Sequence, residues 1–560
     1  MVQSLSRVIS IIVQLLWTDT YFAFSSLSPS PWPQPCGEFI FPANAMQDIW
    51  DEVGAFGLYQ WLLLGALPLA VLATGGNFLL SSYLILEPEW ACGDEPNDYG
   101  RNCSLWHNCH SGLQYKSEFH SLGEQYGLLC EKAYISHSIV SLGVLPTYIG
   151  TMLWGPLADR IGRKLPVLLS LTLAMGASLG CIFAPSWEAF TAFRMLWGLG
   201  FGGCNVFVIW AMEFSDQAHG FIINALTHWH YTYMLVAVLG WLTGDWQVYL
   251  IVLNAICAPV LLFFAFFLRE SPRWYIQRGE YGKALHVLES VRRWNTFFRP
   301  KPGAVLREAD LRDADPVDPS RPAKSKQQFN FLSLFHGRQM AIRSATLGFT
   351  FLAASIVSGT VILDVGRLSG GAFQNLFLIG FFRCFTPLVS ILLDWKFKEL
   401  GRRHFLLGSQ SIVLACFLVV WTLHVLPGGS EASSGRHAAT AFFSLAGAIL
   451  NMFVWIVIIQ LAFELYPTLL RNTAVALTGV ADTTGSILVP QIVYLGRFWE
   501  AAPASIAIVG LVAAMGAGWL VFPETKDAAY RPLPVSETQA RLASAQRLLQ
   551  EEEEADDGLL

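Results

Sequence analysis

The chain is 560 residues long, 53% hydrophobic and only 14% charged, against roughly 25% charged in an ordinary soluble domain. That composition argues against a string of soluble domains and for a bundle of helices long enough to cross a bilayer. The formal net charge of −6 is dominated by the terminal run from Glu551 to Asp557, so the placement of charge says more than its sum.

Residues 1–44 hold a short apolar run, Ile9 to Trp17, behind Arg7, and then a Ser/Pro-rich stretch. The run could pass for the apolar core of a signal peptide; a disordered extension and a start at Met46 are the other readings. Apolar stretches of crossing length follow at about 61–86, 135–156, 165–184, 188–212, 220–243 and 247–268. Six more fall near 342–363, 372–394, 404–426, 437–463, 472–496 and 503–522. Two groups of six around one long polar connection outline two packed half-bundles. The expected order is an N-terminal half over 45–268 with a large loop at 87–134, a linker at 269–341, a C-terminal half over 342–522 and an acidic tail at 523–560. Within the linker, 281–294 has the apolar spacing of a surface helix, whereas 299–328, rich in Pro, Asp, Arg and Lys, reads as flexible. A short helix from Ser536 to Leu549 is expected in the tail.

Orientation follows from Lys and Arg in the short connections. Arg160, Arg163 and Lys164 lie between the second and third stretches, and Arg269, Arg273, Arg278, Lys283, Arg292 and Arg293 follow the sixth. These sides should be cytosolic, with both termini. The loop at 87–134 is acidic and should face outward; it carries Cys92, Cys103, Cys109 and Cys130, which allow two disulfides in three connectivities. Asn102-Cys103-Ser104 fits a glycosylation sequon in the same loop.

Four charged signatures punctuate the apolar stretches: Gly155-Pro156-Leu157-Ala158-Asp159-Arg160-Ile161-Gly162-Arg163-Lys164, Glu270-Ser271-Pro272-Arg273-Trp274, Glu464-Leu465-Tyr466-Pro467-Thr468 with Arg471-Asn472, and Pro523-Glu524-Thr525-Lys526. Together with Asp51-Glu52-Val53-Gly54-Ala55-Phe56-Gly57 and Leu128-Leu129-Cys130, they resemble the organic cation, anion and zwitterion transporter family of the major facilitator superfamily, over about Met46 to Lys526. The resemblance implies an all-α, twelve-span fold and alternating access, in which two six-helix halves rock about a central site. It also implies a cytosolic gate: Asp159, Arg160, Arg163, Glu213, Glu270 and Arg273 facing Glu464, Arg471 and Glu524 in a network of breakable ion pairs.

The chain departs from the family pattern in two places. Lys398 and Glu399 stand where the second Asp-Arg is expected before Gly401-Arg402-Arg403, with Asp394 nearby, and Glu213 is followed by Phe214-Ser215-Asp216 rather than by arginines. In the central site the expected aromatic and acidic positions hold Cys204, Val208, Phe349, Phe351 and Ile456, the last beside Trp455. Asp482 matches the mid-membrane carboxylate of the cation-selective branch, and Arg383 in the eighth span is its candidate partner. If they pair, the site holds no free charge for a cation; if not, Asp482 is a binding residue. Asn224 offers an amide to the same cavity, His228 and His230 are candidate proton carriers or interface histidines, and Arg194 with Gly198 fits the superfamily's Arg-x-x-x-Gly pattern.

The function implied is movement of a small organic ion, cation favoured, across the plasma membrane without ATP, cofactor or metal. Asp482, Arg383, Phe349, Phe351, Trp455 and Asn224 would line the site. The competing class is a non-transporting receptor or scaffold with an extracellular or cytosolic protein partner, suggested by the altered second-half motif. No motif points to an enzyme or to nucleic-acid binding.

Overall fold

The computed structural model describes residues 49–524 except 51, 55–56, 93–98, 102, 110–112, 216–228, 297–306, 309–310, 312–333, 336, 398–400, 426–432 and 467. Among the described residues, ten helices are long and apolar enough to cross a membrane. The first half consists of span 1 (Leu58–Leu84), span 2 (Ala133–Val144 and Thr147–Ile161), span 3 (Lys164–Ile182), span 4 (Trp187–Phe201 and Cys204–Met212), span 5 (His230–Thr243) and span 6 (Trp246–Phe266). The second consists of span 7 (Arg338–Leu363), span 8 (Ala372–Arg383 and Thr386–Lys396), span 9 (Arg402–Val425), span 10 (Ser433–Leu465), span 11 (Thr468–Leu495) and span 12 (Ala502–Val521).

The breaks have local causes. Span 2 is interrupted at Leu145-Pro146 and span 8 just before Pro387, because proline lacks the N–H that continues a helix. At the second break the Thr386 hydroxyl donates to the Arg383 carbonyl at 2.7 Å, satisfying a group the break would otherwise leave open. Between the halves, Pro272–Gln277 and Tyr281–Asn295 form two short helices beyond the end of span 6. The second packs Ala284, Val287, Leu288 and Val291 inward and turns charge outward. The Asn295 amide donates to the Gly54 carbonyl at 2.9 Å while its oxygen accepts from the Tyr59 N–H at 2.9 Å, pinning this helix to the start of span 1.

The cysteine loop is a small folded unit. Glu89–Cys92 pairs antiparallel with Leu113–Lys116, and the disulfides are Cys92–Cys109 and Cys103–Cys130, which selects one of the three connectivities the sequence allows. Trp90, Leu129 and Cys130 are buried together beneath it. The loop docks on the bundle through the His120 N–H, which donates to the Gly244 carbonyl at 2.8 Å, and the Tyr126 hydroxyl, which donates to Ala184 at 3.1 Å.

The halves meet mainly at the loop end. The Ser141 hydroxyl donates to the Ile487 carbonyl at 2.8 Å, Tyr148 shares a hydrogen bond with Thr484 at 2.5 Å, and Arg383 of span 8 reaches Tyr233 of span 5 at 3.2 Å. Phe373 packs on Tyr83 and Phe119 with centroids 5.1 and 6.3 Å apart. Gly380 allows span 8 to approach span 5 closely, since a Cβ there would sit 2.9 Å from both the His230 carbonyl and the Met234 nitrogen. At the far end, the ion pairs described below run within each half.

His120 provides a pH test of loop docking. Its ring bonds Glu124 at 2.6 Å and Gln125 at 3.0 Å. Burial lowers its pKa, but these bonds and the charges of Glu124 and Asp245 outweigh that and leave it raised. The stabilisation is then fully present below the ordinary histidine value of about 6.5 and lost as pH rises through the raised folded value. Melting curves of wild type and His120→Gln should differ at pH 5.5 and converge at pH 9; a gap of constant size would reject the ionic contribution.

Candidate functional site

The charged signatures at the far end organise helix termini. Gly162 has φ +107° and precedes span 3, and a Cβ on it would overlap the Glu270 carboxylate. That carboxylate accepts from the N–H groups of Arg163 at 2.7 Å, Lys164 at 3.1 Å and Ser271 at 2.9 Å. It thus satisfies orphan donors at the positive end of span 3. Ser271 caps the next helix by accepting from the Trp274 N–H at 3.2 Å, Pro272 occupies its first turn, and Arg273 donates to the Ser215 carbonyl at 2.6 Å. The Trp274 indole donates to the Asp159 carbonyl at 3.0 Å, and Arg278 donates to the Arg160 carbonyl at 3.1 Å. Arg163 pairs with Asp159 and, at 3.3 Å, with Glu213. Burial works against the Arg163 charge, but Glu213 and then Asp159 outweigh it and raise its pKa.

The second half brings a carboxylate to the matching place. Glu524 lies against Gly401, the residue before span 9, where a Cβ would overlap its carboxylate, and it pairs with His404 at 3.1 Å. The side chains of Glu464 and Arg471 lie outside the described residues, as do Asn224, His228, Asn102, Lys398 and Glu399 and the side chain of Asp394. The side chains of Asp159 and Arg160 are exposed.

Arg383 and Asp482 do not pair in the bundle interior. Asp482 is half-buried and accepts from the Ser355 hydroxyl at 2.8 Å. Arg383 is buried and donates to the Tyr233 hydroxyl at 3.2 Å, the Ser358 hydroxyl at 3.0 Å and the Ala448 carbonyl at 2.7 Å, with its guanidinium 5.3 Å over the Tyr233 ring. Asn451 completes this network, donating to Ser358 at 2.8 Å and to the Ala354 carbonyl at 2.7 Å. The two charges are held by Ser355 and Ser358, three residues and about 4.5 Å apart along span 7.

Phe351 is buried and meets Trp455 edge-on at 4.5 Å. Phe349 is 40% exposed, and two residues apart on a helix is about 200°, so it faces away from Phe351; the two rings do not converge on one site. Arg194 is the first half's buried cation. It donates to the Asn77 carbonyl at 3.1 Å and the Ser81 hydroxyl at 2.8 Å and stacks 4.5 Å over Trp197. Gly198, one turn on, lets span 4 touch the Gly143 carbonyl of span 2. Sequence reasoning missed Tyr233, Ser355, Ser358 and Asn451; the available signal was polar residues inside apolar stretches.

Two six-helix halves with charges held mid-bundle and capped turns at one end define a multi-pass membrane carrier. The family model described as "Sugar (and other) transporter" matches residues 110–530. The chain is 25% identical to mouse solute carrier family 22 member 4, over 75% of this chain and 72% of that one. It is also 25% identical to human organic cation/carnitine transporter 2, over 80% and 87%. Among solved structures it resembles a partially occluded inward-open form of the xylose transporter XylE from E. coli, with a TM-score of 0.56, 16% identity and coverage of 84% of this chain and 99% of that one. The chain belongs to the sugar (and other) transporter family of the major facilitator superfamily, as a divergent member of its organic cation, anion and zwitterion branch.

The two motif glycines should respond oppositely to a methyl group. Gly162→Ala should cost about 1–3 kcal/mol, because it strains a positive φ and displaces the Glu270 cap. Gly155→Ala, with nothing within 4 Å of its Cβ, should change stability by less than about 0.5 kcal/mol. Thermal unfolding of the solubilised protein compares them, and equal losses would reject the capping role.

Proposed function

We propose that the protein carries small organic cations across the plasma membrane by alternating access, with Asp482 as the charge that binds them. The carrying observation is that Asp482 is half-buried, mid-span, and satisfied by the neutral Ser355 hydroxyl rather than by Arg383. A carboxylate in that position is costly unless it serves a ligand or finds a cation, and the protein's nearest buried cation is occupied elsewhere. The Phe351–Trp455 pair, between spans 7 and 10, supplies ring faces and apolar surface suited to an alkylammonium group. Arg383 of span 8, whose partner Ser358 lies about one helical turn from Ser355 along span 7, would suit the carboxylate of a zwitterionic substrate. Phe349 has no part in this site, and Asn224 stays a candidate member of it.

The halves closed together at the cysteine-loop end, with charged clusters at the far end bonded within each half, suit an inward-facing state. The loop then lies outside the cell and the capped turns lie in the cytosol, in keeping with the distribution of Lys and Arg. In the opposite state the exposed Asp159 and Arg160 would be available to groups of the second half. No specific observation favours a receptor or scaffold.

The test is uptake of labelled organic cations, zwitterions and anions by cells expressing wild type, Asp482→Asn or Asp482→Glu at matched surface levels. Cation uptake should fall tenfold or more in Asp482→Asn, a loss of about 1.4 kcal/mol or more, and recover in part with Glu. Equal uptake by wild type and Asp482→Asn would remove Asp482 from the site, and anion uptake alone would overturn the cation assignment.

A further inference from the structure

The joint between the halves at the loop end has an ionic component that the gating motifs do not account for. Glu87 follows span 1 in the first half, and Arg497 follows span 11 in the second. Their carboxylate and guanidinium lie 3.1 Å apart, with the side chains 16% and 22% exposed. The same Arg497 nitrogen donates to the Cys130 carbonyl at 3.3 Å. Cys130 is held by its disulfide to Cys103 and has φ +53°, a left-handed backbone uncommon outside glycine, so this acceptor is fixed by the loop's own covalent frame. Arg101 in turn donates to the Glu87 carbonyl at 3.1 Å. On the other side of the joint, the Glu118 carboxylate of the cysteine loop stands beside Gly371 at the start of span 8. A Cβ on Gly371 would lie 3.5 and 3.6 Å from its oxygens. A negative charge there suits the positive end of the span 8 helix.

From this geometry we propose that the cysteine loop works as an outer latch. The Glu87–Arg497 pair, braced by the Cys130 carbonyl and seconded by Glu118 at the span 8 terminus, holds the two halves together on the loop face and must release for that face to open. The inference rests on the alternating-access reading and adds to it a regulating element outside the central site. Both contacts join the first half's loop to the second half's turns, where separation of the halves would break them. Neither is deeply buried, so water can replace each partner as it leaves, as a reversible latch requires. The disulfides make the loop a rigid arm rather than a floppy tether, so its carboxylates act on the joint instead of following it. Glu270 caps a helix within its own half, whereas at the loop end a carboxylate reaches across to a helix start of the other half.

The test needs no substrate. Ser141 is 9% exposed in the closed seam beside Ile487, so Ser141→Cys reports opening of the loop end. In the full chain reconstituted in lipid nanodiscs, maleimide labelling of position 141 is followed by peptide-resolved mass spectrometry. Arg497→Gln and, separately, Glu87→Gln should each speed labelling about fivefold or more. The charge swap Glu87→Arg with Arg497→Glu should bring the rate back toward that of the reporter alone, which a merely unfolded variant would not do. Unchanged labelling in both single variants, or a swap as fast as Arg497→Gln, overturns the latch. Gly366→Trp distinguishes this failure from failure of the two-state reading, since a side chain there would collide with Leu86 across the joint. Faster labelling with the wedge but not with the latch variants rejects the latch alone, whereas no response to either rejects rocking itself.

Discussion

A bilayer interior holds no water to satisfy a charge or a helix end, and the whole arrangement follows from that constraint. Among the described residues, two buried arginines and one aspartate inside the bundle are each met by neutral dipoles. Arg194 is taken up by the Asn77 carbonyl and Ser81, Arg383 by Tyr233, Ser358 and the Ala448 carbonyl, and Asp482 by Ser355. Opposite charges in a low dielectric attract strongly, and the hydrogen bonds that Ser355 and Ser358 provide compete with the attraction between Asp482 and Arg383. The polar residues of span 7 therefore separate two charges that would otherwise cancel.

The same constraint explains the two ends. Where span 3 begins at the far end, Glu270 supplies the acceptor that the first helical N–H groups lack, and both Glu270 and Glu524 lie against glycines that leave room for them. Where the halves meet at the loop end, the seam is built from close backbone approach at Gly380, ring packing around Phe373 and a few hydrogen bonds such as Ser141 to Ile487. Rigid halves with local, separable contacts at each end can exchange one set for the other without repacking their cores.

The twelve-span architecture was legible because apolar length and Lys/Arg placement depend on composition alone, and the observed helices closely follow the apolar stretches. The caps were legible as motifs but not as chemistry: Glu270 and Arg273 were read as gate charges, and in this structure Glu270 also serves the N–H groups of span 3 and Arg273 the Ser215 carbonyl just beyond span 4. The interior was the least legible part. Phe349 and Phe351 were placed in one site although alternate helix positions point apart, a fact of helical geometry that alignment by motif passes over. The sequence left open both an Arg383–Asp482 pair and an unpaired Asp482, and the hydrogen bonds of two serines and an asparagine in apolar stretches, to which sequence gives no weight, hold the two charges apart here.

The altered second-half motif bears on how the caps and the gate relate. Lys398 and Glu399 replace the expected Asp-Arg, yet Gly401 still receives Glu524 as Gly162 receives Glu270. The approach of a carboxylate from the end of the sixth or twelfth span to the glycine before a helix does not need the Asp-Arg pair. In the first half that pair adds a second layer, in which Asp159 and Glu213 neutralise Arg163. The cap and the charge layer are therefore separable devices, one fixing a helix end and the other setting the charge presented at the mouth. A charge layer of this kind can vary without disturbing the glycine–carboxylate contact, since partly solvated ion pairs are worth only about 0–1 kcal/mol each and act through their number. A chain can thus keep the superfamily's architecture while its charge motifs differ between the two halves.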